Sequence, residues 1–136
     1  MSSIEQTLSI IKPDAVERNL VEEIKNILIK NKLYIKESKK IHITKDEAAE
    51  FYKVHQSKPF YNDLCAYLSS GPIIVMILEG DNAVLVNRKI MGATNPKDAD
   101  NNTIRKLYGI SIDKNSVHGS DSIENAKQEI AFFFKN

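Results

Sequence analysis

Apolar residues recur along the chain in two periods, and the alternation between them predicts its elements. TLSIIK, Thr7 to Lys12, is rich in β-formers and stops at Pro13, which removes an amide donor and restricts the residue before it, so a first strand should end at Lys12. Leu20, Val21, Ile24, Ile27 and Leu28 fall at the three- and four-residue spacings of a helix face. Leu33 to Ile43 mixes β-formers with lysines, as a solvent-facing or edge strand does. Thr44 with Glu47 matches a capping box, predicting a helix through Tyr52 to about His55. A further helix should start at Pro59 and stop at Ser70-Gly71-Pro72. Ile73 to Leu78 is apolar without alternation, which requires cover on both faces and marks a central strand.

Asn82 to Met91 reads as another helix, closed by Gly92. From Gly92 to Val117 the chain turns polar, with few apolar anchors, and a loop of that length inside a compact unit is usually functional. Ser116 to His118 can hold a brief strand. Asp121 with Glu124 resembles a second capping box, opening a last helix that should bury Ile123, Ala126, Ile130, Phe133 and Phe134. The plan is β-α-β-β-α-β with inserted helices, and it predicts a ferredoxin-like α+β sandwich with an antiparallel sheet. Helices on one face alone would leave the central strands uncovered on the other, which suggests a homo-oligomer.

Composition narrows the class. The 136 residues, 42% hydrophobic and 27% charged, suit one domain, 1–136, with no repeat or linker. A formal charge of +1 advertises neither a nucleic-acid nor a membrane surface, and no apolar run approaches the roughly 20 residues that span a bilayer. The lysine-rich patch KESKK, Lys36 to Lys40, reads as a solvated face. Cys65 has no disulfide partner and the opening MSSIEQ lacks a leader pattern, so a reducing, cytoplasmic setting is expected.

The candidate chemistry is local. His42, in the lysine-rich strand, reads as an exposed or half-exposed residue without a catalytic part, and His55, beside aromatic residues at a helix end, as structural. His118 differs: Gly119 leaves its backbone uncrowded, and a helix with free amides follows. It is either a nucleophile or a hydrogen-bonded residue closing a strand. Glu129, at the margin of the last helix, either orients the His118 ring or is a surface residue. Arg88 suits the end of its helix in any protein, whereas Arg105 and Lys12 sit where cations can face a cleft, with Thr94 and Thr103 nearby in sequence. Phe60 is either core or a platform for a base. Phosphate loops of the GxxxxGK[ST] kind, GxGxxG turns, CxxC or HExxH metal sets and a serine nucleophile elbow are all absent from the sequence.

Together these residues resemble the nucleoside diphosphate kinase family over nearly the whole chain. The resembling stretches are TLSIIKPDAV, KPFYNDL, SSGPIIVMILEGDNAV, NRKIMGATNP, TIR (Thr103 to Arg105) and NSVHGSDSIENAKQEIAFFF, the last holding His118. The resemblance implies a ping-pong exchange in which His118 takes the γ-phosphate of ATP as phosphohistidine and passes it to another nucleoside diphosphate, maintaining triphosphate pools. Lys12, Tyr52, Arg88, Thr94, Arg105 and Asn115 match family contacts to phosphate or ribose. Phe60 and Ile112 match the clamp on the base, and Ser120 and Glu129 the supports of the histidine. It implies Mg²⁺ arriving with the nucleotide phosphates, no cage of protein side chains around it, and assembly as a tetramer or hexamer. A phosphohistidine donor to other proteins, or a binding module without turnover, would use the same fold. Departures fall elsewhere: the family usually has glycine at Asn19, Glu22, Lys32 and Asn102, arginine at Lys58, phenylalanine at Tyr61 and Asp-Phe at Leu107-Tyr108. A positive φ at any of the former glycine positions would strain a residue with a Cβ.

Overall fold

In the computed structural model, residues 4–112 and 114–134 are described; Met1 to Ser3, part of the opening read for a leader, lie outside them. β1, Ile4–Ile11, ends ahead of Pro13, and a short helix α1, Pro13–Glu17, turns the chain into α2, Val21–Lys30. β2, Tyr34–Ile41, is followed by α3, Lys45–Phe51, whose start is the expected capping box: Thr44 Oγ1 accepts from Glu47 N at 3.1 Å while Glu47 Oε1 accepts from Thr44 N at 2.9 Å. A 3₁₀ turn at Lys53–His55 leads to α4, Tyr61–Leu68. That helix starts two residues later than Pro59 predicts, with Phe60 as its cap. β3, Ile73–Asp81, α5, Ala83–Met91, α6, Ile104–Tyr108, β4, Val117–Gly119, and α7, Ile123–Phe133, complete the order.

The strands lie in the order β2-β3-β1-β4, every neighbouring pair antiparallel, which is the ferredoxin-like α+β sandwich the element order predicts. β2 is an edge strand, and its lysines are exposed as expected. Alternation decides which face each residue serves. Ile11, Ile74, Met76 and Leu78 meet α2 and α5 on one side. Leu8, Ile10, Ile73 and Val75 turn to the other, against Ala48 of α3, Cys65 and Leu68 of α4 and Phe133 of α7. The expectation of one uncovered face is therefore corrected, because the inserted helices and α7 close the second face from within the chain.

Three further readings change. The long polar segment holds a 3₁₀ turn, Pro96–Asp98, and the short α6, whose N-terminus is capped by Thr103 Oγ1 accepting from Lys106 N at 3.3 Å. Five residues are too few to show a period in sequence, and the cap commits the Thr103 hydroxyl to structure. The last helix is capped by Ser122, accepting from Asn125 N at 3.0 Å, so Asp121 and Glu124 form no box. Ile123, in the first turn of α7, is 50% exposed and borders an open groove with Ile4 instead of joining the core.

Of the four positions where glycine is usual, Asn19, Lys32 and Asn102 take positive φ of 60°, 68° and 72°, while Glu22 is an ordinary residue of the first turn of α2. Asparagine tolerates the left-handed region and lysine does not share that advantage. Lys32→Gly is accordingly expected to raise stability by about 0.5 to 1 kcal/mol, the relief of strain exceeding the added chain entropy. Asn19→Gly should gain less. Chemical denaturation of the two variants beside the parent measures the difference.

Candidate active site

β4 is only three residues long, yet it places the histidine by pairing with β1: Ser9 faces Gly119, Ile10 faces His118 and Ile11 faces Val117. His118 therefore shares the face of Ile10, toward α3 and α7, while Val117 enters the opposite core. Glycine is needed next to it. A Cβ on Gly119 would lie 2.4 Å from Asn87 Nδ2 and 2.9 Å from Met91 Sδ, so only glycine lets α5 rest against this strand.

The ring of His118 is held from two sides. Its Nε2 is 3.0 Å from Glu129 Oε1 on α7, and the Phe51 ring packs on it in a T-shaped arrangement with centroids 5.3 Å apart. Ser120, fully buried, donates its hydroxyl to the same Glu129 oxygen at 2.8 Å and receives the amide of Leu8 at 3.4 Å. The carboxylate on the margin of the last helix is thus tied to the histidine, and the surface-residue reading of Glu129 falls. With the Nε2 proton donated to Glu129, the lone pair of the neutral ring lies on Nδ1.

Cations and amides come from separate elements. Lys12, at the end of β1 and 6% exposed, donates from Nζ to Asn115 Oδ1 at 2.9 Å, and Asn115 Nδ2 donates to Thr94 O at 3.0 Å. Arg105, in α6 and 8% exposed, donates through its two terminal nitrogens to Gly92 O at 3.0 Å and Val117 O at 2.9 Å, while its Nε is buried without a partner. Burial lowers the Arg105 pKa to about 10, repulsion from Arg88 adds to that, and Tyr52 opposes it. The guanidinium remains charged at neutral pH. Two cations close enough to repel, one of them desolvated, are stabilised by an anion between them. Tyr52 is buried just after α3, and burial, with Cys65 and Glu129 adding, raises its pKa, so its phenol keeps the proton and can donate.

The sequence candidates thus converge in part. His118, Glu129 and Ser120 form one hydrogen-bonded cluster, Lys12, Asn115 and the backbone of Thr94 form a second, and Arg105 binds the carbonyl preceding His118. Arg88 acts on Arg105 electrostatically from the exposed last turn of α5. Phe60 is 44% exposed and Ile112 53%, so the core reading of Phe60 fails; its ring lies 6.2 Å from that of His55 and takes the Lys58 ammonium at 5.7 Å. His42 is exposed, as expected, and engages Ser69 O at 2.8 Å. Sequence reasoning missed Phe51, whose spacing marks only a helix face, and the contacts around Ser116, where nothing in the residue type announces a left-handed backbone.

The family model for nucleoside diphosphate kinase matches residues 5–136. A nucleoside diphosphate kinase of Nitratiruptor sp. is 56% identical over 131 residues, 96% of each chain, and one of Campylobacter fetus is equally so. Among solved structures, the enzyme of Aquifex aeolicus superposes with a TM-score of 0.96 at 39% identity, covering 98% of this chain and 97% of that one. That of Encephalitozoon cuniculi gives 0.94 at 36% identity, covering 97% and 90%. Shared fold alone would leave function open. A family model over residues 5–136 and agreement in sequence over 96% of the chain do not, and the chain belongs to the nucleoside diphosphate kinase family.

Proposed function

We propose that this nucleoside diphosphate kinase works by a ping-pong route through His118, with the other site residues holding phosphates and base around it. The observation that carries the reading is the pairing of His118 Nε2 with Glu129 at 3.0 Å, backed by Ser120, which leaves Nδ1 as the free lone pair. Nδ1 attacks the γ-phosphorus of ATP; the N–P bond forms, the bond to the β–γ bridging oxygen breaks, and its electron pair leaves with ADP. Glu129 keeps the Nε2 proton in place and offsets the positive charge that grows on the ring. A second nucleoside diphosphate then enters, its terminal oxygen attacks the same phosphorus, the O–P bond forms as the N–P bond breaks, and the electron pair returns to Nδ1 of the neutral ring.

The phosphates lie among Lys12, Tyr52, Arg88, Thr94, Arg105 and Asn115. Phosphoryl transfer asks little covalent chemistry of a protein beyond its nucleophile, so positioning and charge neutralisation are their contribution. Phe60 and Ile112, both exposed, offer apolar surface for stacking and no edge-on hydrogen bonds, so every base is accepted. Mg²⁺ fits this site as part of the nucleotide complex: Lys12, Arg88, Arg105 and Asn115 are cations and an amide suited to phosphate oxygens, and among the described residues no group of three His, Cys, Asp or Glu side chains could hold a metal ion. When bound with the nucleotide it neutralises phosphate charge and fixes the phosphate geometry.

The setting is cytoplasmic triphosphate pools, and the assembly a homo-oligomer, tetramer or hexamer, which light scattering distinguishes. Among the described residues no helix is long and apolar enough to cross a membrane. Initial rates with ATP varied at several fixed GDP concentrations test the mechanism: parallel double-reciprocal lines are expected, and intersecting lines would replace the covalent route with direct transfer. Glu129→Gln should lower the rate of phosphoenzyme formation about 10- to 100-fold, measured by rapid quench, because an amide neither balances the ring charge nor enforces one tautomer. An unchanged rate would make Glu129 a bystander.

A further inference from the structure

Two residues before His118 the backbone does something that serine seldom does. Ser116 has φ of 73° and no exposed surface, and the amide of Val117 donates to Asn115 O at 2.9 Å across it. That is a γ-turn of the rare, strained, positive-φ kind, at a residue with a Cβ. It joins two parts of the candidate site, since Asn115 on one side bonds Lys12 and Thr94, and β4 with His118 begins on the other.

Such a turn persists only where its surroundings over-determine it. Ser116 Oγ donates to Asp14 Oδ2 at 2.9 Å and receives Arg18 at 3.3 Å, while Ser116 O takes the amide of Lys12 at 2.8 Å. Asp14, 6% exposed, is itself held by the Tyr67 hydroxyl and by an Arg18 ion pair at 3.0 Å, and Arg18 reaches on to Tyr108 O at 2.6 Å. These partners come from α1 and its C-cap, from α4 and from α6, and none of them bonds His118 among the described contacts. The proposed mechanism gives none of them a task.

We infer that Ser116 is a positioning residue for phosphoryl transfer: its hydroxyl, anchored by Asp14 and Arg18, holds the strained turn that sets His118 against the phosphate-binding residues. The inference rests on His118 being the phosphorylated group. Removing the hydroxyl releases the anchor without touching nucleotide. Alanine keeps the strain and loses the anchor; glycine loses both, because it adopts positive φ freely. The two substitutions therefore separate stability from positioning.

The test is single-turnover phosphorylation of the full chain by saturating ATP and Mg²⁺, together with ADP affinity and thermal melting, for the parent, Ser116→Ala and Ser116→Gly. Phosphorylation is expected to slow about tenfold in both variants, with ADP affinity within about twofold of the parent, and melting lowered in Ser116→Ala but largely recovered in Ser116→Gly. A Ser116→Gly protein that phosphorylates at the parental rate would make the hydroxyl merely structural and overturn the inference. So would a loss confined to ADP affinity. A parent that takes up no phosphate on His118 would instead overturn the mechanism beneath it, and that outcome is read from the parent alone.

Discussion

His118→Ala should fold, bind ADP and turn over at least about 10⁴-fold more slowly than the parent, because the proposed route places the covalent intermediate on this ring. The ring carries no structural load that alanine could not drop: it is partly exposed, on an edge strand, and its contacts are Glu129 and the Phe51 ring. Thermal melting should move little, while steady-state transfer from ATP to GDP falls to background. Turnover within tenfold of the parent would remove the histidine from the chemistry and require another phosphate acceptor or direct transfer.

Arg105→Ala is expected to lower transfer about 10²- to 10³-fold, the loss of one well-aimed donor to the transferring phosphoryl group, worth about 3 to 4 kcal/mol. The same substitution strips the partners from Gly92 O and Val117 O, so it should also destabilise, by about 1 to 3 kcal/mol for a buried carbonyl left unpaired. Rates must be measured well below the lowered melting temperature. Arg105→Lys separates the contributions: it keeps a cation, yet a single ammonium cannot bridge both carbonyls and also meet phosphate, so an intermediate rate is expected. A lysine variant as slow as alanine would assign the loss to the geometry of β4 instead of to charge.

The parts of the fold legible in sequence were those with enough residues to show a period or a cap. Ile73 to Leu78 announced a central strand because it needs cover on two faces, and Thr44 with Glu47 announced a helix start because the pairing is reciprocal. The cover of the second face was not legible, since it depends on where the inserted helices dock after the chain turns. α6 was hidden in a polar segment, its five residues too short to repeat. Ser122 displaced Asp121 as a cap by a single position, because both side chains suit the role.

For the site, the residue types and their family pattern were readable, and so was the one unusual feature of Glu129, a carboxylate at the margin of a buried face. Their convergence was not, because it depends on the pairing of β4 with β1 and on the close approach of α5 at Gly119. Arg105 was anticipated as a phosphate ligand, yet two of its nitrogens hold backbone carbonyls, one of them the residue before His118. The turn at Ser116 lay beyond sequence altogether.

The most direct measurement is the intact mass of the protein after mixing with ATP and Mg²⁺, before and after a chase with GDP. One phosphoryl group should appear, be labile in acid, be absent in His118→Ala, and leave quantitatively as GTP. A folded, ATP-binding protein that gains no mass, or whose phosphate stays through the chase, would contradict a phosphohistidine on the catalytic path.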